Sequence, residues 1–206
     1  PGSVSFTVRD GTGQLVPAKV TFLNLDGVDV RRPDLGDDYI GGKPGSVWFS
    51  STGTGQVVLP HGTWQAVASR GIEYEIDWSA PFTTTGASHV DLDLTVVQSV
   101  DTTGWISADF HVHAVSSFDS GVSLEGRVTT MAAEGVEFFT SNDHDAVTDY
   151  RPVVEHLGLE HFVGTGIGLE VTTLEIGHFL GFPLLHDYLV EAGGAFDWTD
   201  LTPEEI

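Results

Sequence analysis

Histidine and acidic residues recur in the second half of the chain at spacings that suit a metal site. His111 and His113 close a run of strand-like residues, and residues two apart on a strand point to the same side, so both imidazoles can reach a single point. Further candidate ligands follow, each beside a turn rich in Gly, Ser or Asn: Asp119, His144, Glu170 and His178. Neutral imidazole nitrogens and carboxylate oxygens together suit zinc, manganese or iron, so this series predicts a metal centre.

The acidic charge of the chain limits its partners. Residues 1–98 carry 6 basic and 11 acidic side chains, a net charge of −5, whereas residues 99–206 carry Arg127 and Arg151 against 19 acids, a net charge of −17. A surface this acidic argues against nucleic acid and anionic membranes as partners bound through charge. Most of these acids are assigned to solubility or to adaptation to high salt, since metal binding needs only a few of them.

The composition is that of a soluble globular protein with one large domain or two small ones. The chain has 206 residues, 40% of them hydrophobic, and no apolar run near the roughly 18 residues that a membrane span needs. It contains no cysteine, which excludes disulfides, thiolate metal sites and a cysteine nucleophile. This leaves the compartment open, with a secreted or periplasmic location slightly favoured over a cytoplasmic one.

Strand patterns fill the first half of the chain. Apolar and polar residues alternate from Val4 to Val8 and again from Val90 to Val96, and turn signals separate the strand-like segments. Residues 26–45 are rich in Asp, Gly and Pro and predict a long solvated loop. A calcium site in this loop is disfavoured because the Asp-x-Asp-x-Asp-Gly spacing is absent. Residues 1–98 therefore predict an antiparallel β-sandwich domain.

The second half alternates strand and helix patterns. Ser123 predicts the start of a helix that Gly135 ends, and Pro152 suits the first turn of a second helix that stops at Gly158. Alternating strands and helices favour a parallel sheet or barrel, in which functional groups collect at the carboxyl ends of the strands. Residues 99–206 therefore predict an α/β domain that carries the candidate ligands.

Four segments of this half also carry a family resemblance: Asp109-Phe-His-Val-His-Ala114, Ser141-Asn-Asp-His-Asp145, Gly168-Leu-Glu-Val-Thr-Thr173 and Gly177-His-Phe-Leu-Gly-Phe-Pro183. They resemble the PHP (polymerase and histidinol phosphatase) metallohydrolase superfamily, most closely its carbaryl-hydrolase-like CehA/McbA family. The resemblance covers residues 104–206. Through Pro17-Ala-Lys-Val-Thr21 and Ala68-Ser-Arg-Gly71, residues 1–98 resemble, more weakly, the carboxypeptidase-regulatory or transthyretin-like sandwich that often precedes this catalytic domain. The predicted fold is thus an Ig/transthyretin-like antiparallel β-sandwich, residues 1–98, followed by part of a distorted (β/α)7 PHP barrel, residues 99–206.

The resemblance implies a role for each candidate residue. Six side chains are implied as metal ligands: His111, His113, Asp119, His144, Glu170 and His178. In the family pattern His111 and His113 hold one metal, Asp119 helps to bind another, and Glu170 bridges two. Asp143 matches a position that orients a ligand or takes a proton, which makes it the candidate catalytic residue. The implied cofactor is two or three divalent ions of zinc, manganese or iron, and no substrate-binding residue is identified.

The resemblance also implies a reaction. Two metals bridged by a carboxylate can activate water near neutral pH and polarise an ester oxygen, so the expected activity is hydrolysis of a small-molecule phosphoester or of a carboxyl or carbamate ester. The alternative is a non-catalytic extracellular binding or structural module that retains a structural metal site. The family's barrel continues past the position of Ile206, so a further C-terminal segment or a second chain is expected to complete it.

Overall fold

The structure, a computed structural model, describes residues 1–27, 46–174 and 176–206. Most of the predicted acidic loop, residues 28–45, lies outside the described residues.

The chain divides into two compact units. Unit 1 comprises Pro1–Ile106 and Thr129–Val136, and unit 2 comprises Ser107–Val128 and Glu137–Ile206. The predicted domains, residues 1–98 and 99–206, stay a prediction.

Unit 1 contains two sheets in its described part. Its strands in chain order are β1 (Gly2–Asp10), β2 (Ala18–Asn24), β3 (Val47–Ser50), β4 (Thr54–Leu59), β5 (Gly62–Ser69), β6 (Tyr74–Glu75), β7 (Asp77–Trp78), β8 (Phe82–Thr84) and β9 (His89–Gln98). One sheet has the order β4-β1-β9-β6, and the other has the order β3-β2-β5-β7 with β8 beside β5. The two sheets face each other, because the ring of Phe6 on β1 lies 6.1 Å from Phe22 on β2 and 6.4 Å from Trp48 on β3.

Strand β1 lies inside its sheet and has a neighbour on each side. It runs antiparallel to β4 but parallel to β9, with Phe6 opposite Leu92. The prediction of an antiparallel sandwich is therefore wrong at this pair. Val4, Phe6 and Val8 point inward and are 0–2% exposed, which is the burial that their alternation with polar residues favours.

The second half of the chain contains two α-helices in its described residues. Its elements are β10 (Ala108–Val112), α1 (Leu124–Ala133), β11 (Phe138–Ser141), α2 (Arg151–Leu157), β12 (Gly164–Ile167), β13 (Leu169–Thr172) and β14 (His178–Gly181), with a 3-10 turn at Glu191–Gly193. The hydroxyl of Ser123 accepts a hydrogen bond from the backbone N–H of Gly126, 3.0 Å, and so caps α1. Gly158 ends α2 in the left-handed conformation. Neither described helix has the length and apolar composition needed to cross a membrane.

The predicted PHP barrel is wrong. Strands β10, β11 and β12 form a parallel three-stranded sheet, but the alternation of strand and helix stops there. Gly168 alone separates β12 from β13, far fewer than the dozen or so residues that a crossover between parallel strands needs. Strand β13 instead pairs antiparallel with β14. The described residues are therefore mostly β, in several sheets, without a closed barrel.

Candidate metal centre

Four strands of unit 2 position five of the predicted ligands. His111 lies on β10 and His113 directly follows that strand, whereas His144 lies in the loop after β11. Glu170 lies on β13 and His178 on β14, so the antiparallel hairpin supplies two more ligands. An isolated β-bridge between His144 and Glu170 joins the loop after β11 to the hairpin. The carboxyl ends of two parallel strands and one hairpin thus meet at the same place.

Gly168 allows the hairpin to approach the end of β11. A Cβ atom at this position would lie 2.5 Å from the carbonyl oxygen of Ser141 and 2.9 Å from that of Gly181. Contacts this short with backbone atoms require the backbone to shift, so a glycine is needed here. The close approach holds Glu170 against the loop that carries His144.

Six predicted ligands come together in the structure, and we call them the histidine–carboxylate cluster. Its members are His111, His113, Asp119, His144, Glu170 and His178. They form three overlapping groups, in each of which one ligand atom per residue lies within 4.8 Å of the others: His111, His113 and Glu170; His113, Asp119 and His144; and His144, Glu170 and His178. Their roles as metal ligands stay a prediction.

Glu170 lies between the imidazoles of this cluster, and its side chain is only 5% exposed. Its Oε2 atom is 3.0 Å from Nε2 of His111 and 3.2 Å from Nε2 of His113. Its Oε1 atom is 2.7 Å from Nδ1 of His178. The two oxygens of one buried carboxylate therefore face different sets of imidazoles.

Asp119 closes the cluster on another side. Its Oδ2 atom is 3.4 Å from Nε2 of His144, and its Oδ1 atom is 3.7 Å from Nδ1 of His113. Asp119 is half-exposed, so it is the ligand candidate with a carboxylate open to solvent. The carboxylate of Asp119 thus lies near His113 and His144, two imidazoles that Glu170 also contacts.

Two hydroxyl groups that the sequence analysis did not identify contact these imidazoles. Ser117 Oγ is 3.1 Å from Nδ1 of His113, and Thr172 Oγ1 is 2.5 Å from Nδ1 of His144. The signal for Ser117 was its position between His113 and Asp119 in one short segment. Thr172 lies two residues after Glu170 on the same strand, a spacing that places both side chains on one face.

The predicted catalytic residue, Asp143, is fully buried. Its Oδ1 atom accepts a hydrogen bond from the backbone N–H of Ala114, 2.7 Å, and its Oδ2 atom accepts one from the hydroxyl of Thr148, 2.5 Å. These bonds tie the loop after β10 to the loop after β11 and so support the segments that carry His113 and His144. The catalytic role of Asp143 stays a prediction.

Burial and hydrogen bonding move the pKa values of the acidic groups in opposite directions. For Glu170, burial acts to raise the pKa, but the hydrogen bonds to His111 and His178 outweigh it and hold the pKa below its ordinary value. The pKa of Asp119 is lowered in the same way, against burial, mainly by the hydrogen bond from Ser117. Burial raises the pKa of Asp143.

Burial lowers the pKa of His113, although the charges of Asp119 and Glu170 oppose this shift. The ionised forms of Glu170 and Asp119 and the neutral form of His113 are therefore favoured together. These are the protonation states in which carboxylates and imidazoles bind a metal ion.

Comparisons with known proteins do not place this chain in a family. No protein-family model matches it, and no curated protein matches it. Among solved structures it shows a likeness to the Bacillus anthracis TIE protein, with 15% identity and a TM-score of 0.35 over 55% of this chain. The matched part spans 19% of that protein's chain, about a fifth of its length. A likeness this low carries no argument about fold or function.

Proposed function

We propose that this protein is a metal-dependent hydrolase of ester bonds whose divalent ions bind at the histidine–carboxylate cluster. The observation that carries the proposal is the buried carboxylate of Glu170, which faces His111 and His113 with one oxygen and His178 with the other. A carboxylate in this arrangement can bridge two ions. The three overlapping groups of ligands support two or three ions of zinc, manganese or iron.

The spacing of the ligand atoms fits this cofactor. Zinc lies about 2.0–2.2 Å from imidazole nitrogen and carboxylate oxygen, so two ligands at a tetrahedral angle are about 3.4 Å apart. The separations between Glu170 or Asp119 oxygens and imidazole nitrogens run from 2.7 to 3.7 Å. In the described part of the chain, the ion-pair partners of Glu170 are all imidazoles, and no Lys or Arg neutralises it. A buried carboxylate surrounded by imidazole nitrogens and without a basic partner is well suited to hold a cation.

The exposure of the ligands supports an open centre. The side chains of His111 and His178 are 51% and 45% exposed, whereas those of Glu170 and His144 are 5% and 7% exposed. Glu170 and His144 would hold the ions from the protein interior, and His111 and His178 would bind them on the side that a substrate can reach. Bound divalent ions would polarise an ester oxygen and acidify a water molecule, which is the chemistry of metal-assisted hydrolysis.

The two basic side chains of residues 99–206 favour an uncharged ester over a highly charged phosphate. Arg127 donates from Nε to the carbonyl oxygen of His113, 2.8 Å, and Arg151 pairs with Asp149 at 2.6 Å. Both guanidinium groups thus have partners within the protein, whereas phosphate clamps usually draw on Arg or Lys. We therefore propose a carboxyl or carbamate ester as the first substrate class and a phosphoester as the second.

Metal content is the first test. The purified protein is dialysed against zinc or manganese, and bound metal is measured by mass spectrometry in the wild type and in a His111→Ala, Glu170→Ala double variant. At least one equivalent is expected in the wild type and a large loss in the variant. A His156→Ala, His161→Ala variant, which removes two exposed histidines outside the cluster, serves as the control and is expected to keep its metal.

Hydrolysis is the second test. An aryl carboxyl ester and an aryl phosphoester are offered to the metal-loaded protein, and hydrolysis is expected to stop with a chelator and to return with manganese or zinc. Metal binding without hydrolysis of either ester would favour the structural-metal alternative. Failure of the wild type to bind either metal would contradict the proposed metal centre.

A further inference from the structure

Ser117 lies inside the histidine–carboxylate cluster but is not one of its ligands. It is only 3% exposed, and its hydroxyl oxygen has three partners. It donates to Oδ1 of Asp119, 2.7 Å, accepts from the backbone N–H of His144, 3.2 Å, and lies 3.1 Å from Nδ1 of His113. One buried hydroxyl therefore contacts three predicted ligands, two in its own segment and one, His144, in the loop after β11.

The proton count at Ser117 determines the direction of its bond to His113. A serine hydroxyl has one proton, and an ionised carboxylate can only accept, so that proton goes to Asp119. A backbone N–H can only donate, so His144 does not change this assignment. The contact with His113 is then donated by the Nδ1–H of the imidazole. In the neutral ring, Nε2 then carries the lone pair and faces Oε2 of Glu170 at 3.2 Å, an arrangement that calls for a cation between the two atoms, because without one the carboxylate competes with Ser117 for the proton of His113.

We infer that Ser117 is a positioning residue, which holds His113 in the tautomer with a protonated Nδ1 and so presents Nε2 as the metal-binding atom. The inference rests on the proposed metal centre. A neutral histidine without such a partner can exchange between two tautomers, and one of them carries a proton where the metal would bind. Loss of a hydrogen-bond partner behind a ligand typically lowers metal affinity about 10–100-fold.

The tautomer can be measured without metal or activity. Long-range proton–nitrogen NMR spectra of a chelator-treated Glu170→Ala variant, which lacks the carboxylate that competes for the proton of His113, report which ring nitrogen is protonated at a pH where the imidazole is neutral. The His113 signals are identified by their absence when His113→Asn is added. The Nδ1–H form is expected in Glu170→Ala and when Ser117→Thr, which keeps the hydroxyl, is added to it, and a mixture or the Nε2–H form is expected when Ser117→Ala is added. The Nε2–H form in Glu170→Ala with Ser117 in place would overturn the inference.

Zinc titration by calorimetry supplies the second readout. Ser117→Ala is expected to weaken zinc binding about 10–100-fold, while Ser117→Thr keeps most of the affinity and Ser116→Ala, a change at the exposed neighbouring serine, leaves it unchanged. An unchanged affinity and tautomer in Ser117→Ala would overturn the inference but not the proposed function. A wild type that binds no zinc would defeat the proposed function, while the NMR spectra would still decide whether Ser117 sets the tautomer.

Discussion

The interiors of the two units are built from different kinds of side chain. Unit 1 buries mostly apolar groups, with Phe22, Leu59 and Trp64 among its largest buried side chains, and the polar side chains buried in its described part are Ser50, Arg70 and Thr84. Unit 2 buries many more polar groups around the cluster: Ser117, Thr140, Ser141, Asn142, Asp143, Thr148, Glu170 and Thr173. The difference separates a core that stabilises the fold from an interior that positions ligands.

Hydrogen bonds make the polar interior of unit 2 possible. A buried polar group without a partner is costly, and these groups have partners. The hydroxyl of Ser141 donates to the carbonyl oxygen of Thr148, 2.6 Å, and the hydroxyl of Thr173 donates to that of Gly177, 2.6 Å. A net hydrogen bond contributes about 0.5–1.5 kcal/mol, whereas burial of a large apolar side chain contributes about 1.5–3 kcal/mol. Unit 2 thus gains directional contacts at the expense of apolar burial.

Truncation of the apolar core of unit 1 is expected to have the largest effect on stability. Trp64 on β5 is fully buried, so Trp64→Ala should lower the free energy of unfolding by about 3–5 kcal/mol. Zinc stoichiometry of the folded variant should not change, because the cluster belongs to unit 2. Urea unfolding and metal analysis check both points, with Trp64→Phe as a milder control. A change in zinc affinity without a loss of stability would contradict the comparison.

Removal of a buried carboxylate from unit 2 is expected to affect stability and metal binding together. Asp143→Ala leaves the backbone N–H of Ala114 and the hydroxyl of Thr148 without their acceptor, at about 1–3 kcal/mol for each unpaired group. Because the hydroxyl of Thr148 can rotate, we expect a total loss in the lower part of the summed range of about 2–6 kcal/mol. Zinc binding should also weaken, because the two ligand loops lose their connection. Thermal unfolding and zinc titration measure these effects. Thr148→Val removes one of the two donors and should have a smaller effect, and equal effects would count against this explanation.

A pH-dependent contribution is expected from Asp149, whose side chain is 4% exposed. Burial acts to raise its pKa, but hydrogen bonds from Arg151 and Tyr188 outweigh it and lower the pKa from 3.8 to about 2. Because the pKa of Asp149 is lower in the folded state than in the unfolded state, its ionised form stabilises the fold above about pH 4. This contribution to the free energy of unfolding is lost as the pH falls towards about 2. With the exposed side of Arg151 partly screened, we expect on the order of 1–2 kcal/mol. The free energy of unfolding of Asp149→Asn, measured from about pH 2 to about pH 4, should depend less on pH than that of the wild type. An equal pH dependence in the two proteins would refute this contribution of Asp149.

The smallest effect is expected at the surface of unit 1. Lys19 Nζ lies 2.5 Å from Oε1 of Glu134, and the two side chains are 28% and 34% exposed. Partly exposed pairs of this kind contribute about 0.2–1 kcal/mol, and less in high salt. Lys19→Ala and Glu134→Gln should each have an effect within this range, and a double-mutant cycle at two salt concentrations isolates the pair. A coupling energy above about 2 kcal/mol would place this pair among the interior contacts instead.

Local elements were predictable because their signals lie within a few residues. The alternation from Val4 to Val8 indicated the strand that became β1, and Ser123 and Gly158 marked the start of α1 and the end of α2. Strand pairing was not predictable in the same way. The alternation of β1 is equally compatible with a parallel or an antiparallel neighbour, and only the assembled sheet shows β9 running parallel to it.

The fold class of the second half was mispredicted for a related reason. The strands on either side of α1 and the two helices were predicted as alternating elements, but β12 was not identified and the alternation was extended past Gly168 into a barrel. The residues between β12 and β13 leave no room for a crossover helix, and the chain turns into a hairpin instead.

The sequence by itself determined which chemical groups are present and how the nearest of them are spaced. Two imidazoles separated by one residue at the end of a strand can be identified from the chain alone, because strand geometry places alternate side chains on one side. The tertiary structure alone decided that Glu170 lies between these imidazoles and that Ser117 contacts the backbone of His144. Both contacts join residues far apart in the chain. They depend on how the strands pair and on which polar groups can be buried with a partner.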